Sequence, residues 1–263
     1  MTLLEFWGCA LIAFGPPLAM FSLTVASDPI KVILLISSSF FWLLSFLTVA
    51  VCWSIISLFC DYLIIGAYLA VLSQEIFRYL FHVVTKKAQT YLAKLLTNEE
   101  LASEAAGRNE IMLNADVMKF HDKFRISYVS GLGFGLMNSA FALMNVLTDH
   151  IGPGTVGLKG DSHYFLLVSA LTALAFTLLN VAWSVIMSQS VETSDKRLAV
   201  VVLVSHLLVT SVTFVNRINL QLISILVVYA TTILCGLGAL QVTGVSVKQL
   251  TSLNRRRSVD ATT

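Results

Sequence analysis

The sequence predicts an all-α polytopic membrane protein, a bundle of seven transmembrane helices, and three observations carry that prediction. Of the 263 residues, 57% are apolar and 12% are charged, where soluble domains hold about 45–50% and about 25%. The apolar residues gather into seven runs, each close to the ~20 residues a helix needs to cross about 30 Å of hydrocarbon. The 17 basic and 15 acidic residues fall in a few clusters between those runs. A soluble fold, a disordered chain and a coiled coil are excluded on the same grounds. The 4 cysteines, three of which (Cys9, Cys52 and Cys235) lie inside apolar runs, make no disulfide scaffold.

Each span is read in turn. The first, 3–26, has no basic segment ahead of it, carries Glu5, and runs well beyond the apolar stretch of a secretory signal. Pro16 and Pro17 stand near its middle, where two missing amide donors predict a kink or a local opening. The apolar stretch from 32 to 84 is too long for one crossing, so a hairpin at Cys60-Asp61-Tyr62 divides it into spans 32–60 and 62–84. Residues 85–125 form a cytosolic loop rich in Lys, Glu and Ala. A helical register through Tyr91, Leu92, Leu95 and Leu96 makes part of that loop a surface helix or linker. The fourth span is 126–148, followed by an outside loop from Asp149 to Asp161 whose glycines and proline suit tight turns. Spans 164–188, 198–216 and 218–246 complete a single membrane domain, 1–247. In the tail, 248–263, Arg255, Arg256 and Arg257 suit an anionic-lipid contact and Ser258 a phosphorylation site.

Charge placement orients the bundle. With loops assigned alternately to the two sides, every Lys and Arg except Lys159 and Arg217 falls on one side. Cations accumulate on the cytosolic face, which puts the N-terminus outside or lumenal and the C-terminus in the cytosol. Membrane lipids are thus partners, and no nucleic acid is expected. Cys9 and Cys60 both fall near the outer face, so a disulfide between them and two free thiols are both open.

Two constellations stand out. On the fourth span Ser127, Gly131, Gly135 and Ser139 recur every four residues, leaving one helix face without bulk over about 18 Å. Such stripes let two backbones approach in lipid, either within one bundle or between chains. If the stripe faces outward, Gly131→Leu or Gly135→Leu weakens assembly more than it weakens the isolated chain. Elsewhere, Glu75, Asn180 and His206 sit about eight or nine residues inside the cytosolic ends of their spans. The helical rise places all three about 12–14 Å deep. Arg78 lies one turn from Glu75 as an ion partner. Intramembrane polar groups are costly, so the layer is a functional candidate. It suits a hydrogen-bonded clasp, a pocket for a lipid or partner segment, or a glutamate/histidine catalytic pair. Asn is a poor ligand, and no metal or cofactor site is expected. Paired intramembrane aspartates and a usable Ser/His dyad are both missing from the sequence.

A resemblance emerges from the motifs in chain order. Phe6-Trp7-Gly8-Cys9, Ala13-Phe14-Gly15-Pro16, Asp28-Pro29 and Phe40-Phe41-Trp42-Leu43 open the series. Gln74-Glu75-Ile76-Phe77-Arg78, Lys86-Lys87-Ala88 and Tyr128-Val129-Ser130-Gly131-Leu132-Gly133-Phe134-Gly135 follow. Gly152-Pro153-Gly154, Gly160-Asp161-Ser162 and Ser205-His206-Leu207-Leu208 complete it. From residue 6 to about residue 247 the chain resembles the anterior-pharynx-defective (Aph) family, the seven-span subunit of γ-secretase.

The resemblance implies a non-catalytic scaffold with no catalytic residue of its own. Such a scaffold binds nicastrin, then presenilin and the presenilin-enhancer subunit. It supports intramembrane proteolysis of type I membrane proteins such as Notch and amyloid precursor. It also implies residence in the endoplasmic reticulum, Golgi, plasma membrane and endosomes. Gly131 and Gly135 occupy the family's glycine positions, with Ser139 at the third. His206 matches one of the family's two intramembrane histidines, and Asn180 stands at the other. Asparagine still donates and accepts hydrogen bonds but does not titrate near neutrality. The alternatives are a relative of the intramembrane glutamate/histidine proteases, suggested by Glu75, Arg78 and His206, and a seven-helix receptor. The receptor signatures Asp-Arg-Tyr and Asn-Pro-x-x-Tyr are missing from the third and seventh spans.

Overall fold

The computed structural model describes residues 3–58, 63–105, 123–151, 165–218 and 220–243. Among them the chain is helical throughout, with no strand: α1 (Leu3–Thr24), α2 (Pro29–Ile56), α3 (Leu63–Ala105), α4 (Lys123–Ile151), α5 (Phe165–Thr193), α6 (Lys196–Thr213) and α7 (Gln221–Val242). A short 3-10 turn, Phe214–Ile218, joins α6 to α7. All seven helices are long and apolar enough to cross a membrane.

Two helices run on into segments that hydropathy reads as loops. α3 does not stop at 84 but continues to Ala105, so the first half of the expected cytosolic loop extends the third helix. Lys86 and Lys87 end the apolar character without ending the helix. Neither Gly nor Pro occurs before Gly107, and the intervening Ala, Leu, Lys and Glu are strong helix formers. For the same reason α4 runs on through Asp149-His150-Ile151, which had been assigned to the outside loop, up to the residue before Gly152. The Cys60-Asp61-Tyr62 hairpin, the remainder of both loops and the tail with Ser258 lie outside the described residues. Cys9, Cys52 and Cys235 carry free thiols, and Cys60 is likewise outside the described set.

Helix α1 is unbroken through Pro16 and Pro17. Their missing N–H groups leave the carbonyls of Ile12 and Ala13 without an intrahelical partner. Ser and Thr hydroxyls in the other helices bond back to carbonyls of the preceding turn, as in Thr48 to Leu44 O and Thr232 to Val228 O, both at 2.8 Å. These hydroxyls are thereby satisfied locally, while Ser39, Ser73 and Ser139 reach carbonyls of neighbouring helices.

Two connections are built alike. Asp28 caps α2, its Oδ1 accepting from Ile30 N at 3.1 Å, and Pro29 fills the first turn where no donor is needed. Lys31 Nζ closes the other side by donating to Thr24 O at 3.1 Å. Asp195 caps α6 through Arg197 N at 3.0 Å. Ser194 ahead of it takes a positive φ of 57°, a left-handed conformation that reverses the chain within two residues of α5. Asp28→Ala is expected to cost about 1 kcal/mol, visible as a lower melting temperature of the detergent-solubilised chain.

Helix α5 is the hub. It packs against α1, α3, α4, α6 and α7, and its apolar side chains point in all directions, as expected of a helix buried on every side. Leu179, Trp183 and Ile186 of α5 pack with Val202 and Val209 of α6 and Val228 of α7 in the largest core cluster. A second cluster joins Cys9 and Ala13 of α1 to Leu143 of α4 and Ala170 of α5. The outward faces of α2, α3 and α7 carry exposed Leu, Ile and Phe, the surface of a chain solvated by lipid.

Candidate functional site

Helix α3 supplies Glu75 and, one turn later, Arg78. Helix α5 supplies Asn180 and Ser184, also one turn apart, and α6 supplies His206. The bundle brings these five side chains together. Arg78 Nε donates to Glu75 Oε2 at 3.1 Å. Its Nη1 donates to Asn180 O at 3.1 Å and to Ser184 Oγ at 2.8 Å, and its Nη2 to Asn180 Oδ1 at 2.5 Å. The other carboxylate oxygen, Glu75 Oε1, lies 2.7 Å from His206 Nδ1. An ionised carboxylate only accepts, so Nδ1 is the donor. Asn180 Nδ2 donates to Phe176 O at 2.8 Å within its own helix.

All of these groups are shut away from solvent, with Arg78, Asn180 and Ser184 at 0% exposure and Glu75 at 5%. Burying a lone charge is prohibitive, whereas a pair with every remaining donor and acceptor engaged is tolerated. Aromatic rings close the surroundings. The Arg78 guanidinium lies 4.8 Å from the Phe134 ring centre, and His206 stacks on Trp183 at 4.2 Å with 23° between planes. Trp183 Nε1 in turn donates to Ser205 Oγ at 2.9 Å, a further tie between α5 and α6. Residue types and depth placed Glu75, Arg78, Asn180 and His206 in one layer. Ser184, Trp183 and Phe134 were missed, because an intramembrane Ser or aromatic carries no depth signal of its own.

His206 meets Glu75 and not Asn180, so α6 is tied to α3 directly and to α5 through the stack on Trp183. His206→Asn is therefore expected to be milder than His206→Ala. The amide rebuilds part of the bond to a buried carboxylate, whose loss costs roughly 1–3 kcal/mol. The check is the amount of monodisperse chain recovered from membranes expressing each variant. Among the described residues no third His, Cys, Asp or Glu joins Glu75 and His206 in a group able to hold a metal ion.

The small-residue stripe is occupied within the chain, which corrects the outward-facing alternative. Ser127 and Ser139 are 2% and 1% exposed, and both glycines are buried against α5. A Cβ on Gly131 would lie 2.6 Å from Val181 Cα and 2.8 Å from Asn180 O. One on Gly135 would lie 2.9 Å from both Thr177 Cα and Thr177 O. These are backbone contacts, so no side chain can move aside. Ser139 then clamps the pair by donating to Ala173 O at 2.7 Å, with Thr177 Oγ1 at 2.6 Å. Gly133, on the opposite side of α4, admits α2: a Cβ there would collide with Ser38 Oγ and come within 2.6 Å of Leu35 O. The four-residue spacing had pointed only to the α5 face. Gly133 falls out of that register, and only its short spacing from both neighbours hinted at a second close approach.

The glycine contact therefore fixes α4 on α5 beside the ion cluster, with Gly131 seated on the Asn180 backbone that Arg78 also reaches. The Aph-1 protein family model matches residues 4–246, nearly the whole chain. The chain belongs to the Aph-1 family. It is 39% identical over 244 residues to the γ-secretase subunit Aph-1 of Drosophila melanogaster, covering 93% of this chain and 94% of the fly protein. It is 37% identical over 225 residues to the human γ-secretase subunit APH-1B, covering 82% and 80%. The APH1-like γ-secretase subunit of Arabidopsis thaliana is 28% identical over 221 residues, covering 82% of this chain and 83% of the plant protein. Similarity to proteins named as γ-secretase subunits therefore covers most of the chain in animals and a plant.

Proposed function

We propose that this Aph-1 chain is a non-catalytic assembly subunit of a γ-secretase complex. In this reading it holds a presenilin, nicastrin and the presenilin-enhancer subunit in place for cleavage of type I membrane proteins such as Notch and amyloid precursor. Near full-length similarity to proteins named as γ-secretase subunits carries the reading. The geometry supports it. Both oxygens of Glu75 are engaged, by Arg78 and His206, and the group is buried among three helices, an arrangement suited to holding α3, α5 and α6 and not to receiving a substrate. The seven helices are read as one membrane domain, 1–247, with an outside or lumenal N-terminus and a basic cytosolic tail. Such a complex would pass through the endoplasmic reticulum and Golgi to the plasma membrane and endosomes.

The test is purification of the tagged chain in mild detergent, with mass spectrometry of its partners and a cleavage assay of the complex and of the isolated chain. Recovery of nicastrin and a presenilin, with cleavage by the complex alone, is the expected result. Cleavage by the isolated chain would overturn it in favour of a glutamate/histidine protease relative.

A further inference from the structure

We propose that the small cavity beside His82, between α3 and the C-terminal end of α5, is a binding site for one ordered water molecule held by His82 Nε2 together with Ser188. His82 is 4% exposed, and its Nε2 is buried without a hydrogen-bond partner. Leaving such an atom unmet in an apolar bundle is costly, so a buried ring nitrogen of this kind calls for a ligand. A half-open cleft with about 10 Å³ of space for a water's centre is lined by His82 together with Thr85, Lys86, Gln89, Ser188 and Glu192. That is room for about one water, and a buried water needs two to four polar partners.

Two of the wall groups already serve the fold. Thr85 Oγ1 donates to Phe81 O at 2.8 Å, and Lys86 Nζ donates to Val191 O at 2.8 Å, so they shape the cavity from fixed positions. His82 Nε2 and the Ser188 hydroxyl supply a partner each from the two facing helices. The position extends the polar contact already described. His82 follows Arg78 by one turn of α3, Ser188 follows Ser184 by one turn of α5, and Arg78 Nη1 donates to Ser184 Oγ. A water between His82 and Ser188 repeats that cross-link one turn nearer the helix ends. The buried ion cluster is then the inner end of a polar seam whose outer end is hydrated.

X-ray radiolysis of the full-length chain in detergent, followed by mass spectrometry, tests this. Hydroxyl radicals formed from an ordered water label the residues it touches even when these are closed to bulk solvent. His82 is expected to be labelled roughly tenfold faster than the fully buried Phe134, because it touches a water and Phe134 does not. Labelling of the buried Ile126, which lines the same cavity, is expected to persist in His82→Gln, whose amide still holds the water, and to fall to the background of the fully buried residues in His82→Phe. Labelling of His82 at the Phe134 rate in the unmodified chain would overturn the proposal, a comparison that needs no variant to fold. Unchanged Ile126 labelling in a folded His82→Phe chain would overturn it as well.

Discussion

Arg78→Met is expected to remove most of the folded chain from membranes. Among the described residues the guanidinium alone bonds to Glu75, Asn180 and Ser184 at once. Methionine fills a similar volume but leaves the carboxylate with His206 as its one partner and strips the donors from Asn180 Oδ1, Asn180 O and Ser184 Oγ. Breaking a buried ion pair from one side costs about 3–5 kcal/mol, a large part of the roughly 5–15 kcal/mol by which a domain is stable. Arg78→Lys keeps the charge but loses the planar fork that serves four acceptor atoms, so it falls between Arg78→Met and the unmodified chain. Adding Glu75→Gln to Arg78→Met removes the stranded charge and is expected to recover part of the loss. Yield and melting temperature on size-exclusion chromatography read all four chains. A melting temperature for Arg78→Met equal to that of the unmodified chain would show that the cluster carries no structural weight.

Gly135→Leu is expected to damage the chain itself before any partner is involved. Even a Cβ at this position comes within 2.9 Å of the Thr177 backbone, so α4 and α5 must move apart. Separation also breaks the Ser139 bonds to Ala173 and Thr177 one turn along. Overpacking of this kind typically costs about 1–3 kcal/mol, with backbone collisions at the upper end or beyond. Gly131→Leu belongs to the same class, with its Cβ within 2.6 Å of Val181 Cα. Gly236 on α7 is the matched control, since nothing lies within 4 Å of a Cβ built there. Gly236→Leu is expected to leave the isolated chain unchanged. Equal melting temperatures for the isolated Gly135→Leu and unmodified chains, with loss only of the complex, would restore the outward-facing reading of the stripe.

Much of this architecture is legible in the sequence because lipid imposes simple rules. Seven apolar runs become seven helices, since no other open structure satisfies its backbone groups in hydrocarbon. Glu75, Arg78, Asn180 and His206 stand out because each is costly at its depth, and depth follows from counting residues along a helix. Helix ends were less legible. Hydropathy marks where the apolar stretch of α3 gives way to charged residues and is blind to the helix continuing to Ala105. The partners of the cluster were also hidden. Ser184, Trp183 and Phe134 are unremarkable residue types in a membrane helix, and only the packing of α4 and α6 on α5 brings them to the ions. The direction of the glycine stripe could not be read either, because a small-residue face looks the same whether its partner helix belongs to the same chain or another.

As proposed, the subunit acts through its architecture and not through chemistry of its own. The most direct test is the rate of cleavage of a type I membrane substrate per assembled complex, measured for complexes carrying unmodified, Glu75→Gln and His206→Asn chains and normalised to the presenilin present. Fewer complexes are expected from the variants, each cleaving at the same rate as the unmodified complex. Complexes assembled in normal amounts and cleaving the substrate at a greatly reduced rate would contradict it.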